Sequence, residues 1–452
     1  MPNPARTALF ETVPIPRAVA TLCIPMVFSS LVTVIYNLAD TYFVGRMADP
    51  VQNAAVTLAF PVMLAFNAVN NLFGVGTSSV MSRSLGAGNP EKARTASAVG
   101  FYGALLSGVL FSLVCTVFLT PLLQLLGADA ITRRATAEYL FWTVSLGAAP
   151  AILNVVQAQM TRSEGSALHA SIGTMSGCLL NILLDPIFIL PWGLNMGAAG
   201  AGAATFLSNC AAVAYFVILK RVKGERSCVC LNPRQLRKAS KEVVFGILGI
   251  GVPASIQNLL NVTGITILTN FTAAYGATAV AAMGIAQKVN SVPIQVAMGF
   301  SQGIMPLVSY NYASKNHDRM HHGIRFAASV VVPGMAAVSA LCWIFAPGIV
   351  RSFMDSPEIV SYGSAFLRGL CLGGTFLCVD FLAVGVYNAI GNGKMPLAFA
   401  IARKIALEIP LIFLLNRLWP LYGLAYAQFG TELILSAVAV FLLIRLKASS
   451  SR

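Results

Sequence analysis

Charged residues are scarce. Asp, Glu, Lys and Arg together make up 10% of the 452 residues, against 57% for the apolar set. A soluble domain carries roughly 25% charged residues, so this chain lacks the polar surface a soluble enzyme needs. No long polar segment is left over for a separate soluble domain. Acids are the rarer sign, 16 against 30 basic residues, for a net charge of +14. The basic residues cluster in loops between apolar runs, which argues against a nucleic-acid partner and for a membrane protein with its positive loops inside. There is no HExxH. Gly391-Asn392-Gly393-Lys394 lacks the upstream glycine and trailing Ser/Thr of a phosphate loop, which argues against ATP as direct fuel. No nucleophile–base–acid constellation is evident, so no enzyme is expected. His317 and His321 stand four apart without a third obvious ligand, so no metal site and no cofactor are expected. The nine cysteines are scattered, with Cys228 and Cys230 in a basic loop, and read as reduced, mostly packed thiols. The first apolar run, from near Pro14 to Asp40, is too long for a signal-peptide core and reads as a retained helix.

What the chain does have is apolar length. Bilayer hydrocarbon is about 30 Å thick and takes roughly 20 residues of helix to cross. That divides the chain into about twelve spans, at 17–42, 51–82, 97–124, 138–160, 168–190, 199–220, 243–272, 279–308, 326–350, 362–390, 396–417 and 422–446. Only helices satisfy the backbone in single spans of this length, so the fold class is all-α and polytopic. With the N- and C-termini in the cytoplasm, most basic residues fall on or near the inner side, Arg403, Lys404 and Arg452 among them. The other side receives Arg46, Arg133, Arg134, Arg351 and Arg417. The basic loop 220–242 is the longest polar connection and reads as a hinge. It divides the chain into an N-terminal six-helix bundle (1–220), a cytoplasmic linker (221–242) and a C-terminal six-helix bundle (243–452).

The two halves resemble each other. Ile24-Pro25 in the first span is echoed by Val252-Pro253 in the seventh. Gly76, Ser82 and Asn89 return 227 residues on as Gly303, Ser309 and Asn316. Glu164-Gly165 is matched by Asn392-Gly393. Each half has an even number of spans, so both point the same way, a transporter design with its site near the midplane at the repeat interface. Pro25 and Pro253 each remove a helix hydrogen bond and allow a kink.

An ionisable residue at mid-membrane costs roughly 2.5–3.5 kcal/mol on insertion scales and is a functional candidate by default. Five acids fall in spans: Asp40, Asp185, Asp380, Glu408 and Glu432. Tyr36 and Asp40 are four apart and share a helix face, as do Asn181 and Asp185. The repeat partners of both aspartates are apolar, Leu268 and about Phe413. An acid present in one half alone is not required by the scaffold, and the pair points to a cation site in the first half. The alternatives are a near-interface residue facing headgroups for Asp40 and local capping before Pro186 for Asp185. Asp380 reads as a second cation site or a counter-charge for substrate. Glu408 follows Lys404 by four, which an intrahelical ion pair explains. Glu432 suits helix–helix hydrogen bonding equally well. Lys288 is the basic candidate partner within the spans.

Uncharged polar residues join these: Asn154 and Gln157 in the fourth span, Gln257 and Asn261 in the seventh. Met160, Met175, Met283 and Met298 supply soft apolar surface, or plain packing. A cavity combining them with acids would suit lipophilic cations.

These residues carry a family pattern. Pro25, the stretch Asn37-Leu-Ala-Asp40-Thr-Tyr-Phe-Val-Gly45, Gly86-Ala-Gly-Asn89, Arg162-Ser-Glu-Gly165 and Asn181-Ile-Leu-Leu-Asp185-Pro186 resemble the multidrug and toxic compound extrusion (MATE) family, in particular its MepA-like bacterial branch. The resemblance implies two pseudo-symmetric six-helix bundles around a V-shaped central cleft, in a bacterial plasma membrane. It implies drug export and drug resistance driven by entry of H⁺ or Na⁺, with small organic cations and the lipid bilayer as partners. A monomer is expected. Carried over by position, the cation-coupling set would be Asp40, Asn181, Asp185 and Thr205, with Tyr36 nearby. Asp380 resembles the C-lobe acid of another branch, whose seventh-helix glutamate has no counterpart here. The alternatives are a flippase for lipid-linked or other amphipathic substrates of the same superfamily, whose cavity would favour basic residues, and a channel.

Overall fold

A chain crossing hydrocarbon must pair its own backbone N–H and C=O groups. The computed structural model does so with helices alone: it describes residues 4–46, 49–354 and 356–450, and no strand occurs among them. After a short helix at Pro4–Glu11 come α1 (Ile15–Arg46), α2 (Pro50–Gly86) and α3 (Pro90–Val117). The short helix Leu119–Leu125 follows. The next span, α4, is broken: Arg133–Leu140 runs into a π-helical turn at Phe141–Leu146 and then Ala148–Ser163, the pieces meeting at 46°. Then come α5 (Ala167–Ile189), α6 (Ala198–Lys223), α7 (Lys241–Ala273), α8 (Ala277–Ala313), α9 (His317–Phe353) and α10 (Pro357–Ala389). The eleventh, α11, is again composite: Lys394–Ile401, a π-helical stretch at Ala402–Glu408, and Ile409–Leu418. Last is α12 (Gly423–Ser450). Each predicted span thus has its helix. Nine of the described helices are long and apolar enough to cross a membrane, and the broken α4 makes ten. Arg452 lies outside the described residues.

The helices pack as two units that do not coincide with the halves expected from the linker. One comprises Met1–Thr12 and Leu31–Ser255, the other Val13–Ser30 and Ile256–Arg452. Each half therefore gives the leading part of its first helix to the other unit. Glycine makes both placements possible. In the first unit, a Cβ on Gly76 of α2 would lie 2.3 Å from the Ile247 carbonyl oxygen of α7, and one on Gly251 would lie 1.9 Å from that of Leu72. Ser255 closes the contact by donating to the Ala68 carbonyl at 2.6 Å. In the second unit the repeat partner of Gly76 does the same: a Cβ on Gly303 of α8 would lie 2.8 Å from Cys23 Cα of α1. Pro25 and Pro253 both lie inside continuous helices, just before the points at which α1 and α7 change units.

The linker differs from the hinge expected of it. Two short 3₁₀ turns, Gly224–Arg226 and Pro233–Lys238, hold it as a strap on the first unit. Buried Glu164 accepts from Ser227 Oγ at 2.8 Å and from the Cys228 amide at 2.9 Å, and pairs with Lys223 at 3.5 Å. Tyr102 donates to the Leu231 carbonyl at 2.8 Å, and the Cys230 amide donates to Ser97 Oγ at 3.0 Å. Removing an acceptor from buried donors costs about 1–3 kcal/mol. Glu164→Ala should therefore lower thermal stability and speed tryptic cleavage within 223–241. An unchanged digestion pattern would show that the strap does not depend on this carboxylate.

Candidate functional site

The first unit gathers its polar residues where α1, α4, α5 and α6 meet. The small residues opening α6, Ala198-Ala199-Gly200-Ala201-Gly202-Ala203-Ala204, are all buried and let its backbone approach its neighbours. A Cβ on Gly200 would lie 2.5 Å from the Phe188 carbonyl oxygen of α5, and one on Gly202 3.1 Å from that of Tyr139 in α4. This close fit brings Thr205 to α5. Asn181 and Asp185 project from one face of α5 and are 2% and 0% exposed. The Asn181 amide bridges two partners, donating to Asp185 Oδ2 at 2.9 Å and accepting from the Thr205 backbone N–H at 3.1 Å. Tyr36 of α1 lies beside the Thr205 side chain and within electrostatic reach of Asp40 and Asp185. The two aspartates are near enough to repel each other. Among the described residues, no ion pair includes either of them.

Two members of this cluster escaped the sequence reading. Tyr139, buried in α4, lies within electrostatic reach of Asp40, Tyr36 and Asp185. Nothing in linear spacing connects it to them. Asn209 donates to the Thr205 carbonyl at 2.9 Å and accepts from Asn154 at 3.0 Å. Its four-residue spacing from Thr205 was a usable signal. Asn154 is thereby tied to the Asn181–Asp185 pair through α6. Gln157, one turn on, is 2% exposed with both amide atoms unpartnered.

The second unit treats its acids differently. Asp380 of α10 is 0% exposed and forms an ion pair with Arg403 of α11. The same guanidinium reaches Glu432 of α12, with Nε 3.1 Å from Oε1, and its Cζ lies 5.0 Å from the centre of the Phe381 ring. Arg403 stands in the π-helical stretch, a distortion common at functional positions. Beside it Lys404 pairs with Glu408 at 2.6 Å, the intrahelical bond expected. Arg403 and Lys404, expected on or near the inner side, point into the bundle: the first is 3% exposed, and the second is mostly buried. Lys288 is exposed, and no ion pair among the described residues includes it.

The methionines divide. Met160 and Met283 lie in hydrophobic cores at 0% and 2% exposure, Met160 accepting from the Ser97 hydroxyl at 3.4 Å. Of the two readings open for them, substrate contact and packing, both residues take the second here and pack in the core. Met175, Met298, Gln257 and Asn261 are half-buried.

Known proteins bear on this arrangement. The sequence pattern of the MatE family matches residues 25–187 and again 253–414, in the register of the 227-residue repeat. The chain belongs to the MatE family. Among curated relatives it is 31% identical to the multidrug export protein MepA of Staphylococcus haemolyticus, over 97% of this chain and 95% of that one. It is 32% identical to MepA of Staphylococcus aureus, strain MRSA252, with the same coverage. It is a MepA-like MatE member. Among solved structures, an outward-facing multidrug resistance MATE family transporter of the MOP superfamily superposes with a TM-score of 0.93. That match is 24% identical and covers 100% of this chain and 99% of that one; it shows that the fold is the MATE fold.

Breaking a buried ion pair by removing one partner costs about 3–5 kcal/mol, because the other charge is left uncompensated. Arg403→Gln should lose stability of that order in a detergent melt, and adding Asp380→Asn should restore part of it. If the double variant melts no higher than the single, the pair is not the source of the loss.

Proposed function

We propose that this MatE-family protein is a multidrug efflux transporter that exports lipophilic organic cations by antiport with H⁺ or Na⁺, and that Asp40 and Asp185 hold the coupling ion. The observation that carries this reading is the contrast between the units. In the second, a buried arginine answers Asp380. In the first, two neighbouring acids have no basic partner among the described residues, and a carboxylate in that setting calls for a cation. A proton needs one carboxylate oxygen. Na⁺ needs several oxygens, and Asp40, Asp185, Asn181, Thr205 and Tyr36 supply them. The MepA relatives are named for multidrug export, and the fold is that of MATE transporters.

The mechanism follows from competition between charges. A cation on the two aspartates neutralises the site and removes the attraction it offers to a cationic drug; its departure restores that attraction. Coupling then requires only that drug and ion favour different states of the protein. Pro25, short of the point where α1 leaves one unit for the other, is where that helix bends as the site fills, and Pro253 is its counterpart in α7. Asn154, Gln157, Met175, Gln257, Asn261 and Met298 contribute to the drug surface, and Asp380 enters only when Arg403 is drawn off it. The chain acts as a monomeric transporter rather than an enzyme, in a bacterial plasma membrane with both termini cytoplasmic. The 1–220 and 243–452 halves serve as its repeat units, joined by the 221–242 linker.

Liposomes holding the purified protein and loaded with ethidium test this. A pH gradient and a Na⁺ gradient, imposed separately, should give dye movement with one of the two ions. Asp40→Asn and Asp185→Asn should slow it by roughly tenfold or more. Full gradient-driven transport by Asp40→Asn would sink the assignment. Failure of both gradients to move dye with wild type would turn attention to lipid-linked substrates.

A further inference from the structure

The internal repeat supplies its own control at one place, the turn between the second and third helices of each half. In the first half Gly88 occupies the left-handed region at φ 72°. Asn89 follows, its amide bonded to the Ser84 carbonyl at 2.9 Å and its side chain capping α3 at Lys92 N, also 2.9 Å. In the second half the same turn recurs. The Asn316 amide bonds the Asn311 carbonyl at 2.9 Å, and its side chain caps α9 at Arg319 N at 3.2 Å. The glycine position, however, is Lys315, held at φ 60° where a side chain is disfavoured.

The surroundings have changed in step. At the positions of Pro90, Arg94, Thr95 and Ala98, the second half has His317, His321, His322 and Arg325. Three of the chain's four histidines therefore stand within two turns. The first-half turn is covered by the linker strap, through Lys92–Glu242 at 2.7 Å, Lys238–Glu91 at 3.6 Å and Thr95–Gln235 at 3.4 Å. Its counterpart opens on a cavity of about 460 Å³ lined by Lys315, His317, His321, His322, Arg325 and Lys447, together with Asn316 and the lone acid Asp318. His321 is 8% exposed, and its Nε2 has no hydrogen-bond partner, nor does Nδ1 of His317. The cavity also lies at the N-terminus of α9, a 37-residue helix whose peptide dipoles favour an anion there.

We propose that this cavity is a binding site for a phosphate-bearing anion, held by Lys315, Arg325 and His321 at the start of α9. Guanidinium, ammonium and imidazole groups lining one cavity suit phosphate oxygens. At 1.5 Å per residue α9 is longer than the roughly 30 Å hydrocarbon core, so its first turn reaches headgroup level. Basic pockets at that depth bind anionic lipid headgroups, and free phosphate offers the same oxygens.

The test is a thermal melt of the purified full chain in detergent at fixed ionic strength. The additions are phosphatidylglycerol, phosphatidylcholine or inorganic phosphate. Phosphatidylglycerol should raise the melting temperature saturably and phosphatidylcholine should not. Lys315→Gly and Arg325→Gln should each weaken that response about fivefold, the loss expected for one basic residue at a membrane surface. Lys315→Gly should itself melt no lower than wild type, since glycine relieves the backbone, so a lost response cannot be laid to misfolding. Arg237→Gln, an exposed arginine on the strap, is the control for bulk charge. A response to phosphatidylglycerol alone makes the ligand a lipid headgroup; an equal response to inorganic phosphate makes it the phosphate group itself. No response to either, or an equal loss in Arg237→Gln, overturns the site.

Discussion

The cost of leaving a charge uncompensated away from water governs this protein. Inside a membrane a carboxylate needs a cation, and the protein supplies one or leaves the place for one. Asp380 has Arg403 fixed beside it, and the same guanidinium also reaches Glu432. Asp40 and Asp185 have amide, hydroxyl and phenol neighbours instead. Two related halves thus solve one electrostatic problem in opposite ways.

Packing is arranged to hold these choices still. The run of small residues at the start of α6 brings backbone against backbone, so the Asn181 bridge to Asp185 and Thr205 is set by helices rather than loops. The π-helical stretch of α11 carries Arg403 itself, flanked at Lys404 and Glu408 by a second, self-contained pair. That stretch places three charged residues of seven in or against a bundle without leaving the helix.

Much of this was legible in the sequence, for reasons that are local. Acids interrupting apolar runs stand out, and four-residue spacing put Asn181 beside Asp185 and Lys404 beside Glu408. What escaped depends on contacts between distant segments. Arg403 lies inside the eleventh span, near its inner-side start, and counts there with the basic residues of that side; only α10 and α12 closing around it reveal a buried partner. Tyr139 belongs to another helix and has no periodic relation to the acids. The repeat revealed two halves but not that Gly76 and Gly303 each accept a helix from the opposite half, since a glycine does not say what it lies against. Met160 and Met283 show the same limit, as composition cannot separate a soft ligand surface from a filled core.

That exchange of helices has a consequence for how the molecule is made. Residues 13–30 are synthesised among the first, yet everything they pack on in their unit comes after residue 255. The early segment must wait in the membrane, its Cys23 face without the Gly303 it will meet, until most of the chain has followed. The first unit in turn is incomplete until α7 has begun, although α7 opens the second half of the repeat. A protein assembled this way cannot finish one half and then start the other, and a chain cut in the linker would yield two fragments each holding a piece the other needs.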